Sequence, residues 1–324
     1  MANSLSQSST EDICKQVHGS LGNLSILVRV LAGQLSQHEC QKTREKYKEM
    51  YGEDLYEIFR HKIHGTTSKT CMILSSLMLN PHERDAIVAK NAIFKERDRV
   101  DYKALIEIYV GRKSSHFFLI QQAYQSKFRR HLDQDIMNIE PPHSYQKILM
   151  ALAASHKAHS AQVSVHIGKC DAQRLFQTGE GRCGEFKIDE GVVLEILSKR
   201  SIPQLNLTLS IFKHIYGHTY TKHFKNKYGG EFEEALKLVV KFLNNPPKYY
   251  AKALEASIKG GTTDEGDLER IIVSQSETDM NKIRKIYKNV YGMDMRDAII
   301  ESFPIGDYRD LLLALTMKTS IDND

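Results

Sequence analysis

Four segments of this chain share one layout, and an internal period of this kind constrains the fold more tightly than any local propensity. Leu31-Ala32-Gly33-Gln34 leads to Tyr51-Gly52, and Val110-Gly111-Arg112-Lys113 leads to Phe128. Ser198-Lys199-Arg200-Ser201 leads to Tyr216-Gly217, and Val273-Ser274-Gln275-Ser276 leads to Tyr291-Gly292. The closing aromatics stand at 51, 128, 216 and 291, at intervals of 77, 88 and 75 residues. The longer middle interval contains SHKAHSAQVSVHIGKCD, which is expected to be a polar linker over 155–171.

Within these segments the apolar residues recur at helical spacing, as in Ile283, Ile286, Tyr287 and Val290. Each unit closes on an apolar stretch: MILSSLML, YQKILMALAAS, EEALKLVVKFL and YRDLLLALTM. In the first and third units a proline turn follows, at Asn80-Pro81 and Asn245-Pro246-Pro247, where proline starts a helix without wasting a backbone donor. The expected fold is all-α, with four homologous units of about five helices each.

A 324-residue chain that is 41% hydrophobic and 26% charged has the balance of a globular protein. No apolar run approaches the roughly 20 residues that a membrane-spanning helix needs. The opening MANSLSQSSTEDICKQV lacks the basic and then apolar stretches of a secretory signal, so a cytoplasmic location is expected. Cys14, Cys40, Cys71, Cys170 and Cys183 form no CxxC pair and are expected to be reduced. The net charge of +5, spread along mixed helical faces, favours mild attraction to anionic surfaces over a dedicated nucleic-acid groove.

The stretch Lys259-Gly260-Gly261-Thr262-Thr263 is a flexible loop suited to presenting carbonyl oxygens to a hard cation, and Asp264 and Glu265 open the helix after it. With this loop, the four junctions, NPHERDAIVAKNAI and the closing IGDYRDLLLAL, the sequence resembles the annexins, and among them the plant group, over about residues 10 to 318. The resemblance implies four repeats forming a slightly curved disc that binds calcium and docks peripherally on anionic phospholipid membranes. It divides the chain into a tail at 1–10, repeats at 11–93 and 94–154, the linker at 155–171, and repeats at 172–256 and 257–324. Calcium takes about six to eight oxygen ligands. In the family a KGxGT loop supplies carbonyls, an acid near the end of the fourth helix supplies the carboxylate, and a lipid phosphoryl oxygen completes the shell.

The resemblance carries over unevenly. In the fourth repeat Lys259, Gly260 and Thr262 are the candidate loop ligands, although Thr262 stands where the family has its second glycine. Phe303 occupies the acid position, three residues before Gly306, which leaves Glu301 as the candidate carboxylate. In the first repeat, His18-Gly19-Ser20-Leu21-Gly22-Asn23 keeps a glycine loop with Gly19 and Leu21 as candidate ligands, but its acid position is Lys62. The second repeat has Lys95-Glu96-Arg97-Asp98-Arg99 in place of the loop, and the third has Lys227 at the acid position. Calcium dependence is therefore expected to be weaker than the family norm.

Other activities find less support in the residues. A peroxidase activity credited to some relatives depends on a histidine whose place is taken here by Gly33. No GxxxxGK[ST] loop is present for nucleotide binding. Ile283-Arg284-Lys285 resembles an actin-binding tripeptide of the family, so actin and a second copy of the chain are the candidate protein partners. His156, His159 and His166 invite a zinc or copper site, with solvated linker residues as the plainer expectation. A binding protein without a catalytic site is expected, against the alternatives of a peroxidase or nucleotide hydrolase, or a calcium-independent scaffold on the same frame.

Overall fold

Ser36 and Ser201 open two long helices, Gly52 and Gly217 close them, and this punctuation frames the chain. The Ser36 hydroxyl accepts from the Glu39 N–H while the Glu39 carboxylate accepts from the Ser36 N–H, a capping box that satisfies free donors at the helix start. Ser201 caps the other helix through the Gln204 N–H, with Pro203 in its first turn. Gly52, Gly217 and Gly292 turn left-handed with φ of 74°, 71° and 72°, a helix ending that a Cβ would disfavour.

The computed structural model describes residues 9–62, 68–94, 100–156, 162–178, 188–223, 230–260 and 265–318, and among them the secondary structure is helical with no strand. The first five helices are α1 (Thr10–Gly19), α2 (Leu24–Leu27, continuing as π-helical turns over Val28–Gln34), α3 (Gln37–Tyr51), α4 (Leu55–Glu57, continuing likewise over Ile58–Lys62) and α5 (Lys69–Met78). The next five are α6 (Pro81–Ile93), α7 (Tyr102–Gly111), α8 (Ser114–Phe128), α9 (Leu132–Met137) and α10 (Ser144–Ser155). They are followed by α11 (Val165–Thr178), α12 (Glu190–Lys199), α13 (Ile202–Tyr216), α14 (Tyr220–His223) and α15 (Glu231–Asn244). The last five are α16 (Pro246–Lys259), α17 (Glu265–Gln275), α18 (Met280–Tyr291), α19 (Met295–Ser302) and α20 (Asp307–Met317).

Four sets of five match the expected repeat architecture. The starts differ from the expected boundaries: α6 opens the second set at Pro81, and α11 begins at Val165, inside the stretch expected to be linker. The helix that starts there buries Gly168, Ala172 and Leu175 and packs along α13.

The chain forms two compact units, Met1–Arg84 with Tyr250–Asp324, and Asp85–Tyr249. The first repeat thus shares a unit with the fourth, and the second with the third. In the first unit the π-helical turns of α2 pack on α20, α3 packs on α1 and α5, and α17 touches α5 and α20. Leu31, Phe59, Leu74, Ile271, Ile283 and Leu315 are fully buried there, the apolar burial that drives the assembly. One polar knot joins the two repeats. The Glu277 carboxylate accepts the Gln37 N–H at 2.7 Å and lies 2.9 Å from the Lys318 ammonium, which also donates to the Leu35 carbonyl.

In the second unit α11 lies along α13, and α10 packs on α7, α12 and α15. Two buried aspartates anchor the start of a long helix in each of its repeats. Asp85 binds Arg112 at 2.5 and 3.1 Å, and Asp171 binds Arg200 at 2.7 and 3.2 Å, both through forked guanidinium contacts. Counted back from the closing aromatics, the same position holds Leu35 in the first repeat and Gln275 in the fourth, so this ion pair belongs to the second unit.

Candidate functional site

At the end of α16 the Gly260 N–H donates to the Ala256 carbonyl at 2.7 Å. A Cβ on Gly260 would lie 2.6 Å from that same oxygen, so close approach alone demands glycine here. Just before it, the Lys259 ammonium sits 2.5 Å from Glu255, one helical turn back. The other Glu255 oxygen accepts from the Tyr287 hydroxyl. The hydrogen bond from the Lys259 ammonium to Glu255 raises the Lys259 pKa, and the charges of Glu255, Tyr291 and Glu301 add to the effect.

Glu301 is exposed on the last turn of α19, and its charge is the smallest of the effects that raise the Lys259 pKa. Phe303, at the expected acid position, instead turns its ring edge-on to Tyr308 with centroids 5.7 Å apart. Thr262 lies outside the described residues. Gly260 thus closes the end of α16 on its own Ala256 carbonyl, and an exposed carboxylate at Glu301 together with a lysine already paired to Glu255 is a donor set compatible in kind with a hard cation. Glu255 was not singled out from sequence, although its four-residue spacing from Lys259 is the signal of a helical ion pair.

The first repeat does not fit in the same way. Gly19 ends α1, and the turn after it closes on itself: Ser20 N–H to Val17 O at 3.0 Å, Leu21 N–H to His18 O at 3.4 Å, Asn23 N–H to Ser20 O at 2.8 Å. A Cβ on Gly19 or Gly22 would meet nothing within 4 Å, and Leu21 is half-buried in the turn. His18, in the place of Lys259, stacks flat on Tyr51 with centroids 4.0 Å apart and shares a hydrogen bond with the Tyr47 hydroxyl at 2.8 Å. The α4 helix ends at Lys62, a cation by residue type, so the structure gives Gly19 and Leu21 no carboxylate partner at the expected acid position.

The segment 95–99 and Lys227 lie outside the described residues. Among the described residues, no three His, Cys, Asp or Glu side chains converge as a side-chain metal centre requires. His156 is buried instead of solvated: it stacks on Phe117 at 4.3 Å, Nε2 lies 2.6 Å from the Tyr109 carbonyl, and Nδ1 lies 3.2 Å from the Ser114 hydroxyl. His166 Nε2 lies 3.8 Å from the exposed Cys170 Sγ, and His159 is outside the described residues. Cys14, Cys40 and Cys71 are free and buried, and burial pushes the Cys40 thiol up to about 12, so it stays protonated and inert. Among the described residues, no helix is long and apolar enough to cross a membrane.

The comparisons with known proteins agree with this architecture. The annexin family model matches residues 171–239 and 249–315. Annexin A13 of Homo sapiens is 30% identical, covering 93% of this chain and 92% of its own length. Annexin A3 of Mus musculus is 32% identical over 94% and 91%, and Annexin D3 of Arabidopsis thaliana is 30% identical over 94% of each. The solved structure of annexin III superposes with a TM-score of 0.84 at 29% identity, covering 97% of this chain and 96% of that one. With its four five-helix repeats and this likeness along nearly its whole length, the chain belongs to the annexin family.

Proposed function

We propose that this annexin binds anionic phospholipid surfaces peripherally, in a calcium-dependent manner, through the loop that follows α16. What supports the reading is the Lys259–Glu255 ion pair at the end of α16, where Gly260 closes the helix, together with the exposed Glu301 carboxylate on the last turn of α19. The ion bound there supplies a bridge to lipid phosphoryl oxygens. This chain's part is to hold the Lys259 and Gly260 backbone and the Glu301 carboxylate, and to quench the Lys259 charge with Glu255. Thr262 completes the proposed ligand set from sequence.

The calcium requirement is weaker than in a protein with four intact loops. The closed turn at Gly19 and Leu21, the basic stretch at 95–99 and the lysines at 62 and 227 support this. The site is one of binding, not catalysis, and the protein works at the cytoplasmic face of a membrane. Ile283 is buried in the core, so Ile283-Arg284-Lys285 does not present itself as a unit to actin. A second copy of the chain on the membrane remains part of the reading.

Co-sedimentation with phosphatidylserine vesicles tests it, with crosslinking of the pellet for self-association. Binding in calcium that falls in chelator supports the proposal. Absence of binding in calcium sinks it.

A further inference from the structure

One side of α11 is pressed onto α13, and its other side carries a pair of soft donors. Gly168 marks the packed side, because a Cβ there would lie 2.7 Å from Ile211 Cδ1. At 3.6 residues per turn, the positions two before and two after a packed residue both fall on the opposite side of the helix. His166 and Cys170 hold those positions, and both are exposed. Being four residues apart, they are neighbours on the helix surface.

Their reactive atoms already stand at a chelating distance. His166 Nε2 lies 3.8 Å from Cys170 Sγ. Zinc bonds sulfur at about 2.3 Å and imidazole nitrogen at about 2.0–2.1 Å, so a tetrahedral angle at the ion holds the two donors roughly 3.6 Å apart. The ion therefore enters between them with little rearrangement. Among the described residues neither side chain makes another hydrogen bond or ion pair, and the contact they share is only a weak thiol one. Asp171, the next residue, is buried and held by Arg200.

Two donors fill half of a tetrahedral shell. Among the described residues no third His, Cys, Asp or Glu side chain joins the pair. We propose that His166 and Cys170 form half of a zinc site, and that the same pair from a second copy of the chain completes it as a Cys2His2 shell. Val163 and Val165, 48% and 56% exposed just ahead of His166, give the second copy an apolar surface to cover. A two-fold axis through the ion brings like residues together from both copies. Two thiolates and two neutral imidazoles neutralise a divalent ion, the thiols releasing their protons to solvent as it binds. Lys169 shares the exposed side, and its long stem lets the ammonium stay in water. The pairing needs neither calcium nor a membrane.

Full-length protein in calcium-free buffer, with a phosphine reductant to exclude disulfides, is titrated with zinc chloride. Calorimetry reads the stoichiometry and light scattering the mass, while cobalt(II) in place of zinc reveals thiolate ligation by its sulfur-to-metal charge-transfer band. Wild type is expected to take up one zinc per two chains as its mass doubles. Losing an outer-shell partner already costs a metal site about 10–100-fold, so Cys170→Ser and His166→Gln should each weaken uptake at least about a hundredfold and abolish the doubling. Both positions are exposed, so melting without zinc should not change. His38→Gln, which removes an exposed histidine from α3, should titrate like wild type. Equal uptake by wild type and the two test variants overturns the proposal. So do one zinc per chain with no change in mass, no zinc uptake at all, and a doubling that follows removal of the reductant instead of addition of zinc.

Discussion

The Lys259 ammonium lies 2.5 Å from the Glu255 carboxylate, so the residue that leads into the candidate calcium loop has its charge cancelled from within its own helix. Substituting Glu255→Gln leaves an acceptor for the Tyr287 hydroxyl but frees the lysine charge beside the loop. Stability should change little, because the lysine is exposed and such a pair is largely screened by solvent. Calcium affinity should fall about fivefold, since a unit charge a few ångströms away contributes about 1 kcal/mol even in a water-like dielectric. Thermal melts alongside calcium titration separate the two effects, and equal behaviour of the two proteins in calcium would refute this role for Glu255.

Two glycines at matching places in the first and fourth repeats should respond oppositely to a methyl group. Gly260→Ala puts a Cβ 2.6 Å from the Ala256 carbonyl, and overpacking of that kind costs about 1–3 kcal/mol. Gly19→Ala meets nothing within 4 Å at a helix end, so it should be neutral or stabilising by up to about 1 kcal/mol. Chemical denaturation measures both, and calcium-dependent vesicle binding should fall only in the Gly260 variant.

Much of this architecture is written locally in the residues. Ser36 and Ser201 announce helix starts, Gly52, Gly217 and Gly292 announce ends, and the apolar spacing between them is helical. Long-range choices are less legible. That the first repeat shares a unit with the fourth rests on contacts such as Gln37 and Lys318 to Glu277, polar residues that look like any solvated helix end. The stretch 155–171 looks polar because serine, histidine and lysine dominate it, yet Val165 opens a helix whose Gly168 and Ala172 are buried, and His156 finds a ring, a carbonyl and a hydroxyl to bury against. At the fourth-repeat site, Gly260 is proposed from the loop pattern and Glu301 from the resemblance, as the acid nearest Phe303. Glu255 follows from neither, because its part depends on three-dimensional proximity to Tyr287 as well as to Lys259.

His156 should make stability depend on pH. Burial lowers its pKa below the ordinary value, against a smaller opposing effect of the hydrogen bond to the Tyr109 carbonyl, so the folded protein holds it neutral. A depressed folded pKa means that this contribution is complete above the unfolded value of about 6.5 and is lost as pH falls below it, at no more than about 1.4 kcal/mol per pH unit. Urea unfolding of wild type should weaken from neutral pH downward, while His156→Gln, less stable at pH 7, should show a flatter dependence in that window. Parallel slopes in the two proteins would count against the assignment.

Asp171→Asn should damage the second unit. It removes the charge facing Arg200 while leaving the guanidinium partly buried, with 27% of its side chain exposed. Breaking a buried pair costs about 3–5 kcal/mol, and the remaining exposure of Arg200 places the loss toward the lower end. Differential scanning calorimetry reads it as a lowered transition, and a change of less than about 1 kcal/mol would place this pair with ordinary surface ion pairs.

The most direct test of calcium bridging at the loop after α16 is a calorimetric calcium titration, in the presence of phosphatidylserine vesicles, of wild type, Glu301→Gln and Gly19→Ala. Removing a carboxylate ligand from a calcium site should weaken it at least about tenfold. The account predicts that the strongest calcium uptake of wild type weakens to that extent in Glu301→Gln and is unchanged in Gly19→Ala. Glu301→Gln titrating like wild type, or wild type taking up no calcium at all, would contradict it.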